Sequence, residues 1–330
     1  MTKFIGRQLN VGIAHEGTRG TAQAVQYWVP KLELKIDEMA EQLINEASYG
    51  VIADAEGTDI VHKNSVGELK ARIGDESVGL LLLGILGQED SQTLIEAGVY
   101  DHYFDLSHNA QHPTLTISIE DPNDTGANGL QYALSAIDKL KIDIEPKKYA
   151  EYTVNFRGNA KTDATLTPDY TTGQDNVFLP HHGTVGFAVN LAGLATPTIA
   201  EIKKFSLTVE KNLEDDRVIG NIGVADRLNK QFVVSGTIEI LYNDRAFIDQ
   251  MLNSTASAMR INFQNTDKVI GTTSNPALIV DFAKVKFTEI ARDMANNDFV
   301  KQTLSFKVLY SISENLMMSA IVRNTLPTAY

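Results

Sequence analysis

The sequence predicts a mainly β protein with one or two short α-helices on its flank and long loops inserted between strands. Three observations carry this. Apolar residues alternate with polar ones in several short runs, the period of a strand with one buried and one wet face. Helical spacing is confined to two short stretches. The connections are rich in Gly, Thr, Asn and Asp, residues that favour turns and bond their own backbone.

The 330 residues, 43% hydrophobic and 22% charged, are enough to bury a sizeable core and exclude a disordered chain. Cysteine is absent, which removes disulfide scaffolds, thiolate metal sites and cysteine nucleophiles. A formal charge of −13 argues against tight nonspecific binding to nucleic acid, which works by cations replacing phosphate counterions. The opening stretch lacks the apolar core of a signal peptide. Val78 to Leu86, the densest apolar run, falls far short of the roughly 20 residues that span a bilayer. A protein soluble when made, without a membrane partner, is expected.

Residues 1–30 read as an N-terminal arm or loop leading to Trp28 and Pro30, either a strap for a neighbouring subunit or a mobile terminus, and residues 31–330 as the β domain. Leu32, Leu34 and Ile36 begin a strand. The stretch 43–61, broken by Gly50 and Gly57, suggests a projecting hairpin or long loop. As two arms of about ten residues it would reach roughly 30 Å. Tyr49, Asp54, Glu56 and Asp59 there are candidates for contact between stacked subunits, against a plain surface loop.

Asp75 and Glu76 before Val78, with Gly87 after Leu86, fit a short helix covered on all sides. Two strands flank His112-Pro113 between Tyr100 and Glu120, and residues 121–129 form a loop by composition. Leu130 to Asp138 fits both helical and strand spacing, and strand is preferred. Leu140, Ile142 and Ile144 then pair across a turn with Tyr152, Val154 and Phe156 as a hairpin.

Residues 158–200 read as a long connection with a strand near Val185, and as the best place for an internal boundary or insertion. A second strand pair follows at Phe205, Leu207 and Val209 and at Phe232, Val234, Ile238 and Ile240. Their joining loop, 211–230, is long and charged, which makes Glu214, Asp215, Asp216 and Arg217 further candidates for inter-subunit contact. Phe247, Ile248, Met251 and Leu252 share one helical face. The last pair lies between Leu278 and Tyr310, with a polar loop at 291–298.

Catalytic motifs are absent. The chain has no H-E-x-x-H, no G-x-S-x-G and no phosphate-binding G-x-x-x-x-G-K-[ST]. The run from Asp121 imitates a calcium loop but has Thr125 and Tyr132 where an acid or amide and a Glu are wanted. His181 and His182 point to opposite faces if the chain is extended there, which separates them as metal ligands. His102, His108 and His112 have polar neighbours and read as surface residues. No cofactor, no metal and no enzyme activity are expected.

The wet faces of the strand pairs hold Ser206, Thr208, Ser235, Thr237, Glu239, Thr303, Ser305 and Lys307. They suit either a solvated sandwich exterior or the wall of a channel shared by several copies. Lys139, Lys141, Lys204 and Lys301 lie on the same kind of face.

The order of these features resembles the tail tube proteins, or major tail proteins, of long-tailed bacteriophages. The resemblance runs from the Thr-Gly-rich start through VGLLLLGILG, YDHYFDLSHNAQHPTLTISIE, KLKIDIEPKKYAEYTVNFRG and KFSLTVEKNL to AKVKFTEIARDMANNDFVKQTLSFKVLYS. It implies a β-barrel or sandwich-like subunit, rings of six stacked into a tube, and passage of DNA without specific binding. Six subunits lending four strands each would give a wall roughly 115 Å around and roughly 37 Å across. The implied partners are other copies of the chain, a tape measure protein, a terminator and, in a contractile tail, a sheath, in a virion assembled from protein made in the host cytoplasm. A terminator or secretion-machine ring, and a soluble β-sandwich binding module, are the alternatives.

Overall fold

The computed structural model describes residues 5–122, 126–171 and 175–330, so Thr125 of the calcium-like run lies outside the described residues. In chain order the first part comprises β1 (Asn10–His15), β2 (Tyr27–Val29), β3 (Lys31–Asn45), β4 (Gly57–Arg72), α1 (Ser77–Leu86), β5 (Gly87–Glu96), β6 (Val99–Leu106), β7 (Leu115–Glu120), β8 (Gly129–Ile144), β9 (Glu151–Gly158) and β10 (Thr162–Ala164). The second comprises β11 (Gly183–Ala188), β12 (Thr198–Ala200), β13 (Ile202–Glu210), β14 (Glu214–Asp216), β15 (Asp226–Leu228), β16 (Val233–Leu241), α2 (Ala246–Leu252), β17 (Ser257–Gln264), β18 (Ala277–Asp293), β19 (Lys301–Val308) and β20 (Met318–Asn324).

Antiparallel pairing joins eight strands side by side in the order β3-β4-β9-β8-β13-β16-β19-β18. We call this sheet the wall. One of its faces carries Leu69, Leu140, Val154, Phe156, Phe205, Leu207, Ile238, Leu304 and Phe306, all buried. The other face carries the polar residues between them, because successive side chains on a strand alternate.

A second layer covers the apolar face. β8 and β18 are long enough to serve both layers. The first part of β8 leaves the wall to pair with β7 and β10, and β7 continues to β1 and β2. The first part of β18 likewise pairs with β17 and β20, and these continue to β11 and β12 on one side and to β6 and β5 on the other. The result is sandwich-like, without a closed barrel inside one chain. Within the stretch 1–30, Asn10–His15 is therefore a largely buried strand of its own subunit.

The corner of β8 is at Leu134, whose φ of 52° is costly for a residue with a Cβ. Two buried ions hold it. The Glu16 carboxylate accepts the Leu134 N–H at 2.8 Å together with the hydroxyls of Thr114 and Thr116, and Arg227 Nε donates to the Leu134 carbonyl at 3.1 Å.

Every residue of α1 is buried, so the helix lies inside the core and not on its flank. Its ends are secured by distant residues. Asp175 accepts the N–H groups of Glu76 and Ser77, both at 2.8 Å, and Lys211 Nζ donates to the Gly84 carbonyl at 2.7 Å. A carboxylate at the start and an amine at the end both suit the helix dipole. α2 is the flanking helix, packing Phe247 against Phe287 at 5.3 Å between ring centroids.

The histidine reading is corrected at two positions. His102 and His112 are buried and not on the surface. His102 sits on β6 between β5 and β20, where Glu89 meets Nδ1 at 2.7 Å and Asn324 meets Nε2 at 3.1 Å. Burial lowers the His112 pKa to about 4.

Phe306→Asp puts a charge on the buried face and should cost more than about 3 kcal/mol, enough to unfold much of the population. Ser305→Asp, one residue along on the wet face, should melt within a few degrees of the parent in a thermal scan. A second test concerns pH. Burial raises the Asp75 pKa to about 7, against Asn176, whose amide groups favour the ionised form. A raised carboxyl pKa means that Asp75's contribution to stability is fully present below about 4 and is lost as pH climbs to about 7. Asp75→Asn should flatten that slope in melts run across this window.

Candidate functional site

The eight wet-face candidates are brought together. Ser206, Thr237 and Ser305 are paired across β13, β16 and β19; Thr208, Ser235 and Lys307 form the next row, and Glu239 faces Thr303. The second row continues without a break from Glu33 through Lys70, Thr153, Lys141, Thr208, Ser235 and Lys307 to Lys286, crossing all eight wall strands.

Lysines and carboxylates share this surface and neutralise one another. Lys70 meets Glu151 at 2.8 Å, Lys139 meets Glu210 at 2.7 Å, Lys141 meets Asp143 at 2.7 Å and Arg157 meets Asp138 at 2.9 Å. At one rim Glu145 accepts from both Lys148 and Lys204, which hold its pKa down to about 2. Its hydrogen bond raises the pKa of Lys204, as the Glu151 bond does for Lys70. The wall is thus of mixed sign and not acidic. Its cationic spot is Lys307 beside Lys286, which form no ion pair among the described residues.

The hairpin β3–β4 extends past the wall to a tip at residues 46–56, where every side chain is exposed. Tyr49 and Glu56 are tied to each other, the Tyr49 hydroxyl donating to the Glu56 carboxylate at 2.6 Å, while Asp54 and Asp59 are exposed on the surface. Val51 and Ile52 are also exposed there, at 66% and 106%. Apolar side chains held out on a projecting tip suit a contact surface.

The second loop divides its candidates. Glu214 pairs with Lys230 and Arg217 meets Glu41 at 2.9 Å, so the loop lies back against the hairpin base. Asp215 turns inward to Arg227, 2.5 Å away and without exposed side chain, which also donates to the Gly158 carbonyl at 2.7 Å. Asp216 is exposed on the two-stranded ribbon of β14 and β15. Sequence reasoning took Asp215 for a surface acid because its partner lies twelve residues away across that ribbon.

His181 and His182 approach the same Asp267 oxygen, at 3.4 and 3.1 Å. The extended chain expected there is a 3-10 turn, which turns both rings to one side. The Leu179 N–H donates to His182 Nδ1 at 3.1 Å, which leaves the proton on Nε2, directed at Asp267. That nitrogen is a donor to the carboxylate and not a free metal ligand.

Asp215→Ala would leave the Arg227 guanidinium buried and half-partnered. It should cost about 3–5 kcal/mol in a denaturant titration of the monomer. A loss confined to assembly, with the monomer as stable as the parent, would make Asp215 a contact residue after all.

A family described as phage tail tube protein has a model that matches residues 6–308. No curated protein matches the chain.

Proposed function

Since the chain belongs to the phage tail tube family and is a structural component of the virion tail, we propose that its copies close into rings by pairing the edges of the wall. The rings stack, and the polar face lines the lumen through which DNA leaves the particle. The single observation that carries this is the polar row that crosses eight strands without interruption, backed by one apolar core.

Charge pairing suits the wall to transit. Binding to a duplex gains from released counterions only where cations are free to replace them, and most wall cations already have a carboxylate beside them. A polyanion in such a bore is held weakly at every position, so no one position stops it.

Both outer edges of the wall, β3 and the last part of β18, lack a strand neighbour among the described residues. Long uncovered edges invite pairing with another chain. The tape measure protein would fill the lumen before DNA does, a terminator would cap the last ring, and a sheath would bind the outer surface in a contractile tail. The hairpin tip at 46–56 is the element that reaches the next ring.

Concentrated protein should form rings and tubes in negative-stain images. Val51→Asp with Ile52→Asp should leave the rings intact and shorten the tubes to single rings or short stacks, read as the length distribution in the same images. A parent protein that stays monomeric under all assembly conditions overturns the tube reading.

A further inference from the structure

The first and last four strands of the wall repeat one plan. β3-β4-β9-β8 and β13-β16-β19-β18 are the same order of hairpin strands, each set pairing its first hairpin to its second in the same way. The irregularities recur as well. β3 has a bulge between Lys31 and Glu33 where β13 has one between Ile202 and Lys204; β8 has one between Ile137 and Lys139 where β18 has one between Phe287 and Glu289.

The second layer follows suit. β1, β2 and β7 pair as β11, β12 and β17 do, and the bulge at Leu115/Ile117 recurs at Ser257/Met259. A helix starts after the same interval in each half, at Ser77 after Arg72 and at Ala246 after Leu241. One packing detail is shared: Gly67 lies under the ring of Phe156, and Gly236 under that of Phe306. A Cβ would come within 2.3 and 2.5 Å of the two Cζ atoms, so a side chain at either place would have to displace the ring. Bulges are placed features of a fold, and their recurrence in register is not expected of unrelated halves.

We propose that the chain is two fused copies of one tube unit, and that three chains, not six, close each ring. The inference rests on the tube reading above and adds its stoichiometry and interface. Within the chain the two units are joined by β8 and β13, where Leu207 faces Ile142, Val209 faces Leu140, and Ser206 Oγ donates to Asp143 at 2.7 Å. The same join between chains brings the last part of β18 against β3 of the next copy. Carrying the register over sets Ile36 opposite Arg292 and Lys35 opposite Asp293.

Burial agrees with a missing neighbour. Phe205 and Leu207 of β13 are 1% and 0% exposed, whereas Leu34 and Ile36 at the matching places of β3 are only half-buried. Leu140 of β8 is buried, and its counterpart Ile290 of β18 is half-buried. Asp293 is exposed, and the exposed Lys35 has its one ion pair among the described residues with its own Asp37, at 3.3 Å, so both are available for a partner.

The bore decides the number of chains. Three chains supply 24 strands and a wall roughly 37 Å across before tilt, whereas six supply 48 and roughly 73 Å. With side chains subtracted, the smaller bore fits a duplex roughly 20 Å wide, with its two grooves each about 8 Å deep. The larger one would leave the DNA without a guide.

Native mass spectrometry of assembled rings counts the chains. Three per ring supports the inference; six overturns it and leaves the tube reading standing; no ring from the parent overturns both. Lys35→Asp and Asp293→Lys, both at exposed positions, should each abolish ring closure while the monomer keeps its parental melting curve. Combining them should restore rings of the parental mass. Single variants that assemble as well as the parent, or a double variant that does not recover, would overturn the proposed β18–β3 join.

Discussion

The join of β8 to β13 is the interaction on which the rest of the subunit depends. Six residue pairs from Ile144–Phe205 to Lys139–Glu210 hold the two halves of the wall in one sheet. A slip of one residue would send Leu207 and Val209 into solvent and Ser206 and Thr208 into the core, so both faces of the wall depend on this register. Polar contacts oppose such a slip: Ser206 binds Asp143, and Lys139 meets Glu210. Exposed ion pairs contribute little to stability, and their use here is in alignment. α1 depends on the same alignment, because Lys211, directly after β13, reaches the helix end through the core.

Charge is distributed in keeping with that geometry. The chain carries −13 overall, yet most lysines on the polar side of the wall sit beside a carboxylate of the same or a neighbouring strand. Excess negative charge therefore lies elsewhere, on loops and the outer layer. Salt-sensitive binding to a duplex scales with the number of phosphates a surface neutralises, and a surface whose cations are already paired neutralises few. In the proposed tube, repulsion from a strongly acidic bore would hinder entry and free lysines would hinder exit; pairing of most of the wall's cations limits both.

The strands were legible because a buried and a wet face leave a period of two in the sequence. The runs at Leu140, Phe205 and Leu304 are wall strands, and the stretch 43–61 is a projecting hairpin. Its role as a fourth wall hairpin was not legible, since the period tells which residues are buried and says nothing about which strand lies alongside. The long-range polar contacts were hidden for a related reason. Asp175 at the start of α1 and Glu16 at Leu134 belong to no motif that marks them in the sequence, and Asp215 beside Arg227 reads as a surface acid, because the partners of all three are supplied by the fold. The two-unit plan escaped notice because register, not residue identity, preserves it. Alternation tolerates any apolar side chain facing the core, while Gly67 with Phe156 and Gly236 with Phe306 recur where a Cβ would meet the ring.

The proposed fusion of two units would relax a constraint that identical subunits obey. Equivalent loops in a ring of identical chains must do the same work, whereas two halves of one chain are free to differ. The hairpins have differed here. The first keeps a projecting tip with Val51 and Ile52 outward. The second, at the matching place between β13 and β16, folds back as β14 and β15, fixed by Arg217 to Glu41 and by the Lys63 N–H to the Ile222 carbonyl at 2.8 Å. A ring of three such chains presents three tips in place of six, with a folded loop between each pair. In a tube built on the proposed plan, neighbouring rings would meet in one of three equivalent orientations and the lumen would keep a sixfold arrangement of four-stranded units. On that plan the outer surface and the stacking contact would be free to specialise, while the channel, where a uniform wall serves transit, would remain repeated.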